Sequence, residues 1–236
     1  MQLNLDKTAQ SWLDKARRFA EQELIPHEVE AELNAGRLPP AVSKRHKKMA
    51  IELGFSAMDV PAQHGGLALR VVDQVAVWEQ LGRVTNALCW CFSEPHQWMF
   101  EACNADQLER YILPLMTGAR KECYAITESE SGSDVRVSTT AHRVDSGYRI
   151  DGEKWYVTSA NHADYFFLQA KLTDGASAGS DALFFVDVDT PGIEIVETPL
   201  FSHTYDAHHP TYRFDNVMVP EANRIGEESD GMTYSH

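Results

Sequence analysis

Residues 124–135 read YAITESESGSDV, and at this stretch the chain changes character. Its apolar opening suits a buried strand, yet it runs at once into two glutamates, three serines, a glycine and an aspartate. Short hydroxyl and carboxylate side chains at that density either cap a solvated turn or line a binding cradle. Grouped hydroxyls and free backbone amides suit a phosphate or the polar edge of a ring. Gly132 adds a point where the backbone can come close to something.

Upstream of this stretch the periodicity is helical. Leu5, Ala9, Trp12, Leu13, Ala16, Phe19, Ala20 and Leu24 recur at helical spacing, which predicts an amphipathic helix stopping near Pro26 or somewhat past it. Further helices are expected over residues 40–53, with Pro40 in the first turn and Gly54 beyond the end, over 71–81 and over 87–102. Asp106 reads as the N-cap of QLERYILPLMTG, a helix that Pro114 kinks or shortens and Gly118 closes. The basic run SKRHKK at 43–48 reads as the solvated face of the second helix.

Downstream, short segments rich in Val, Ile, Thr, Tyr and Phe alternate with Gly and Asp turns. Ser146-Gly147 and Asp151-Gly152 are two turn signals in RVDSGYRIDGEKWYVTSA and predict consecutive hairpins. DYFFLQAKL, DALFFVDV and TYRFDNVMV read as strands, with TDGASAGSD a surface loop between the first two. A helical block followed by a strand block predicts two packed domains of an α+β fold, divided near residue 120, rather than an alternating sheet.

Lys and Arg number 21 against 35 Asp and Glu, a formal net charge of −14 that argues against nucleic acid and anionic membrane surfaces as partners. Cys89, Cys91, Cys103 and Cys123 lack CxxC spacing, and no apolar run approaches membrane-spanning length. A reducing, cytoplasmic setting is the expectation. His203, His208 and His209 cluster in FSHTYDAHHPTY without a second ligand group elsewhere, so no metal is expected.

A second element matters as much as the first. In GEKWYVTSANHADY, strand alternation puts Tyr156 and Thr158 on one face and Trp155 and Val157 on the other. An aromatic and a hydroxyl on one face serve either an ordinary cross-strand pair or a flat heteroaromatic ligand.

Together, YAITESESGSDV and DGEKWYVTSA resemble the flavin-binding signature of the acyl-CoA dehydrogenases, whose pattern is xTEPxAGSD followed by GxKxWITN. LGFSAMDVPAQHGGLAL, VWEQLGRVTNAL, DQLERYILPLMTGARKECYAITE and NVMVPEANRIGEESDGM are similar to further segments of that family, so the resemblance covers nearly the whole chain. Two departures stand out: Ser129-Glu130-Ser131 replaces the usual residues before GSD, and Tyr156 replaces the usual Trp.

The resemblance implies an N-terminal helical domain over 1–121, a middle antiparallel β-barrel or sandwich domain over 122–229, and at 230–236 the start of a C-terminal helical domain. That last domain would carry the catalytic base, so no base is assigned in this chain, which is read as a fragment of a longer enzyme or as one half of a two-chain one. The resemblance implies FAD as cofactor, contacted by Tyr124, Ile126, Thr127, Ser133, Tyr156, Val157 and Thr158. Thr127 would face the pyrimidine side of the flavin and Thr158 its N5. Ser133 would meet the phosphates or the thioester's pantetheine arm, and His96 either packs internally or lines the acyl tunnel. The implied reaction is α,β-dehydrogenation of an acyl-CoA in fatty acid metabolism, with an electron-transfer flavoprotein or another acceptor as partner and a homo-oligomer as the assembled state. An acyl-CoA oxidase or flavin monooxygenase of the same fold, or a non-catalytic subunit, are the alternatives.

Overall fold

A computed structural model describes residues 5–133, 136–203, 205–206 and 208–235. In chain order the helices are α1 (Lys7–Phe19), α2 (Glu28–Leu33), α3 (Pro40–Glu52), α4 (Val71–Leu81), α5 (Gln97–Ala102), α6 (Ala105–Gln107), α7 (Leu113–Thr117) and α8 (Gly231–Ser235). The strands are β1 (Glu122–Ala125), β2 (Thr140–Val144), β3 (Gly147–Lys154), β4 (Tyr165–Leu172), β5 (Asp181–Asp187), β6 (Ile193–Glu197), β7 (Thr211–Pro220) and β8 (Arg224–Ile225). Contacts divide the chain into a helical unit, Met1–Phe100 with Ile112–Ala119 and Phe201–Asp206, and a sheet unit made of the rest. Among the described residues no helix is long and apolar enough to cross a membrane.

In the helical unit, the Asp6 carboxylate accepts the Ala9 amide at 2.9 Å and starts α1, whose Ala9, Leu13, Ala16 and Phe19 are buried. The helix does not stop at Pro26. It widens into a π turn over Ala20–Leu24, tightens into a 3-10 turn over Ile25–His27 and continues as α2, because Pro26 stands in a first turn, where its missing N–H costs nothing. α1 packs on α4, and Phe19, Leu24, Phe55, Met58, Val77 and Leu81 form the core. Each such side chain contributes roughly 1.5–3 kcal/mol by burial.

Three helical expectations change. Only Gln97–Ala102 of residues 87–102 is helical, since Asn86 and Ala87 hold left-handed φ of 55° and 53° and Pro95 breaks the segment further along. The N-cap before Pro114 is Asn104, not Asp106: its side chain accepts the Gln107 amide while Gln107 returns the bond to the Asn104 amide, both at 3.0 Å. Within SKRHKK, His46 is 1% exposed and packs edge-on against Phe19, so that run is only partly a solvated face.

The sheet unit holds one eight-stranded sheet in the order β6-β7-β3-β2-β4-β5-β8, with β1 on β4. It is mixed, because β1 and β2 both run parallel to β4 while the other pairings are antiparallel. β5 occupies one edge of β4, and β1 and β2 share the other. β1 pairs with Tyr165–Leu168 and β2 with Lys171 and Leu172. Between those two pairings the chain must leave the sheet and return, and among the described residues the excursion is 126–133 and 136–139. The hydroxyl-rich stretch is therefore a loop extruded where one strand hands its edge to the next.

β4 is buried on both faces. Phe166, Leu168 and Ala170 join the main core with Tyr148, Ile150 and Phe214, while Tyr165 and Phe167 meet Tyr111 and Phe185 on the other side. Ser146-Gly147 turns the β2–β3 hairpin as expected. Asp151-Gly152 does not turn the chain. β3 runs through it, and the bulge lies on the partner strand, where Asp215 and Asn216 of β7 face the single residue Asp151; at Gly152 itself φ is 154° and a Cβ would lie 2.6 Å from Thr139 Cα. Neither β6 nor the two-residue β8 follows from the strand patterns of the sequence.

Candidate functional site

Three stretches of the sheet unit meet beyond the ends of β1 and β3: residues 126–133, 154–159 and 208–210. The Trp155 amide donates to the Thr127 carbonyl at 2.8 Å, and Lys154 Nζ donates to the Ile126 carbonyl at 3.0 Å, so the two motif segments run side by side. Val157 and Ser159 then donate their amides to the carbonyls of Pro210 and His208, at 3.0 and 2.8 Å. The backbone thus fixes the positions of all three stretches before any ligand is considered.

At the base of the loop, Glu128 turns inward. Its carboxylate accepts the Ser138 and Thr139 amides at 2.6 and 2.9 Å and pairs with Lys154 Nζ at 2.8 Å, with both side chains buried. Burial by itself would raise the carboxyl pKa, but the Lys154 charge and the amide bonds bring it below the ordinary range. Burial pulls Lys154 below its ordinary value, against the attraction of Glu128. Ser131 Oγ donates to the Arg136 carbonyl and accepts the Arg136 amide, closing the loop across its neck at 2.6 and 3.0 Å. Glu128 and Ser131 are thereby committed to holding the loop.

What remains open differs from what is committed. Thr127, Ser133 and Glu130 are exposed, Ile126 is half-buried, and Asp134 lies outside the described residues. Tyr124, set opposite Phe167 by the β1–β4 register, stacks on that ring at 4.9 Å and keeps 38% of its surface exposed. β3 ends at Lys154, so Tyr156 and Thr158 do not stand on a strand. Tyr156 adopts a left-handed φ of 52° and presents its ring at 50% exposure, while Val157 is fully buried. Outward Tyr156 and inward Val157 follow from that turn rather than from strand alternation.

Thr158 has a partner that the sequence reading had weighed only as a metal ligand. Its Oγ1 lies 2.9 Å from His209 Nδ1 and 3.3 Å from the Tyr156 carbonyl. The signal for this was Pro210: a proline at the head of a predicted strand leaves the residue before it extended, and His209 is that residue. His96 belongs to the helical unit, exposed just before α5, with Nδ1 3.7 Å from Asp59 Oδ2.

Two family models match the chain, the acyl-CoA dehydrogenase N-terminal domain over residues 6–119 and the acyl-CoA dehydrogenase middle domain over 123–217. Benzylmalonyl-CoA dehydrogenase of Aromatoleum aromaticum is 29% identical over 98% of this chain and 61% of its own length. The caffeyl-CoA reductase-Etf complex subunit CarC of Acetobacterium woodii is 26% identical over 92% and 58%. Among solved structures, PigA with FAD and proline superposes with a TM-score of 0.82 at 25% identity, over 100% of this chain and 62% of that one. The chain spans about three-fifths of the length of these relatives, 58% to 62%. With both models in sequence order along it, the chain belongs to the acyl-CoA dehydrogenase family.

Proposed function

We propose that this chain forms the flavin-facing part of an FAD-dependent acyl-CoA dehydrogenase acting on the α,β carbons of a thioester. The observation that carries the reading is the 2.8 Å bond from the Trp155 amide to the Thr127 carbonyl, which sets TESESGS and KWYVTSA side by side in a member of this family. The residues fit the cofactor. Two aromatic side chains, Tyr124 and Tyr156, are partly exposed, with the hydroxyls of Thr127 and Thr158 in the same two stretches. The loop also suits an anion: Lys154 neutralises Glu128, its inward carboxylate, and Glu130 is exposed to solvent.

When bound, FAD supplies the acceptor for the substrate's β-hydrogen. The chain's own part is to hold the ring and aim donors at it. Thr158 would present its hydroxyl toward N5, Thr127 would face the pyrimidine edge, and Ile126 and the buried Val157 would support the ring through the backbone of their stretches. Ser133 serves the phosphates or the pantetheine arm, and His96 lines the acyl path. Glu128 is not proposed as the proton acceptor, because Lys154 and two amides already occupy it. The likeness to a subunit of a reductase–Etf complex supports an electron-transfer flavoprotein as redox partner, and a homo-oligomer is the proposed assembly.

A second reading has its own support. The likeness to PigA with FAD and proline favours an aminoacyl substrate as an alternative to a fatty acyl-CoA. The test is to reconstitute the chain with FAD without oxygen and add butyryl-CoA in one sample and a prolyl thioester in another. A saturable shift of the bound flavin's visible band with one of them identifies the acyl class, bleaching not being required because no proton acceptor is assigned in this chain, and a wild-type chain that alters neither the spectrum nor the fluorescence of added FAD contradicts the proposal.

A further inference from the structure

We propose that His209 is a positioning residue for Thr158, and that the tautomer of its ring decides whether the threonine hydroxyl presents a proton or a lone pair to a ligand ring. The proposal rests on the flavin reading above and extends it to a residue outside both signature segments.

Three observations on geometry lead there. Val157 and Ser159, on either side of Thr158, both bond through their amides to the stretch carrying His209, so the two side chains are brought together by backbone. Asn161 braces the same stretch, accepting the His208 amide at 2.9 Å and lying 3.1 Å from His162 Nε2. Thr158 Oγ1 then lies 2.9 Å from Nδ1, with the Tyr156 carbonyl the more distant partner at 3.3 Å.

A hydroxyl has one proton and can place it on one acceptor at a time. With Nδ1 bare, the proton goes to the imidazole and Oγ1 turns a lone pair outward. With Nδ1 protonated, the ring donates to Oγ1 and the hydroxyl proton is free for an outside acceptor. A redox-active heteroaromatic ring needs both options, since a ring nitrogen that accepts in one oxidation state donates in the other. A neighbour without a switchable nitrogen would leave the Tyr156 carbonyl as the hydroxyl's inner partner and hold its proton inward.

The first test uses the chain without FAD. In histidine-selective 15N NMR, Thr158→Val should move the Nδ1 resonance of His209, and an unmoved resonance overturns the contact. The second test titrates FAD into wild type, Thr158→Val, His209→Phe and the double variant. Each single change should weaken binding about tenfold and the double no further, because the two act through one hydrogen bond. Losses that multiply to about a hundredfold overturn the proposal. His209→Asn, which keeps a donor and an acceptor near the Nδ1 position, should recover wild-type affinity within about threefold. A folded His209→Asn as weak as His209→Phe also overturns it. If wild type binds no FAD, the flavin reading fails by itself, and the histidine resonance still decides the contact.

Discussion

Glu128 Oε1 lies 2.8 Å from Lys154 Nζ, with the two side chains 6% and 0% exposed, and this charge pair ties the start of the extruded loop to the end of β3. The same carboxylate accepts the two amides at which the chain returns to the sheet. One residue therefore closes the base of the loop on both sides, which lets Thr127 and the hydroxyls beyond it remain open.

Turning the carboxylate into an amide leaves the buried lysine charge without its counter-ion and sets an NH2 against one of the two backbone amides. Glu128→Gln should destabilise the chain by about 3–5 kcal/mol in urea unfolding, whereas Glu128→Gln combined with Lys154→Met, which removes the stranded charge while the Gln oxygen still accepts an amide, should recover part of that loss. A double variant no more stable than Glu128→Gln would show that the loop needs the charge and not merely its neutralisation.

The same carboxylate has a lowered folded pKa, so its stabilisation is complete above the ordinary 4.5 and is lost as pH falls through the lower folded value. Wild type should lose stability below about pH 4.5 along a slope that is shallower in Glu128→Gln. Equal slopes in chemical unfolding would remove Glu128 from the acid transition.

His46 responds in a different pH window. Burial first, then the charges of His27 and Arg45, lower it from 6.5 to about 4. The folded chain therefore excludes a proton that the unfolded chain binds, and stability is lost as pH falls from 6.5 toward 4. The span corresponds to about 3 kcal/mol. His46→Leu should flatten thermal stability across that range, and an unchanged profile would contradict the assignment.

Glu94 reports in the opposite sense. Burial raises its carboxyl to about 7, with the Trp78 hydrogen bond opposing and the Asp59 charge adding to the rise. Trp78 Nε1 donates to Oε2 at 3.0 Å, so tryptophan emission should titrate near neutrality. The transition is expected to vanish in Glu94→Gln and in Trp78→Phe.

Gly152 continues β3 beside the bulge of β7, where the sequence pattern predicts a second turn. Gly152→Ala should cost about 2 kcal/mol or more by guanidinium unfolding, since its Cβ meets Thr139 backbone and its φ suits only glycine.

Much of the fold was legible because periodicity reports burial. The helix over 71–81, Pro40 in a first turn, and the strands of DYFFLQAKL, DALFFVDV and TYRFDNVMV stand where their patterns put them. Dipeptide turn signals were less dependable. Ser146-Gly147 turns the chain while Asp151-Gly152 does not, because β7 pairs on both sides of it and takes up the extra residue itself, so β3 stays one strand. At the site, the two motif segments could be read from their residue types, but their joining could not, since it depends on β1 and β2 sharing one edge of β4. Glu128 looked like one more polar loop residue because Lys154, its partner, lies far along the chain. His209 looked like part of a histidine cluster because only the backbone pairing of 157–159 with 208–210 turns it toward Thr158.

The central claim is that Thr127 and Thr158 border one flavin ring, and methyl NMR of threonine-labelled chain during an FAD titration tests it most directly. The account predicts that both methyls shift together and saturate at one concentration, with Thr190, bonded to the Asp187 carbonyl, unmoved. Saturable FAD binding that leaves either Thr127 or Thr158 unshifted would contradict it, as would a titration in which no threonine responds.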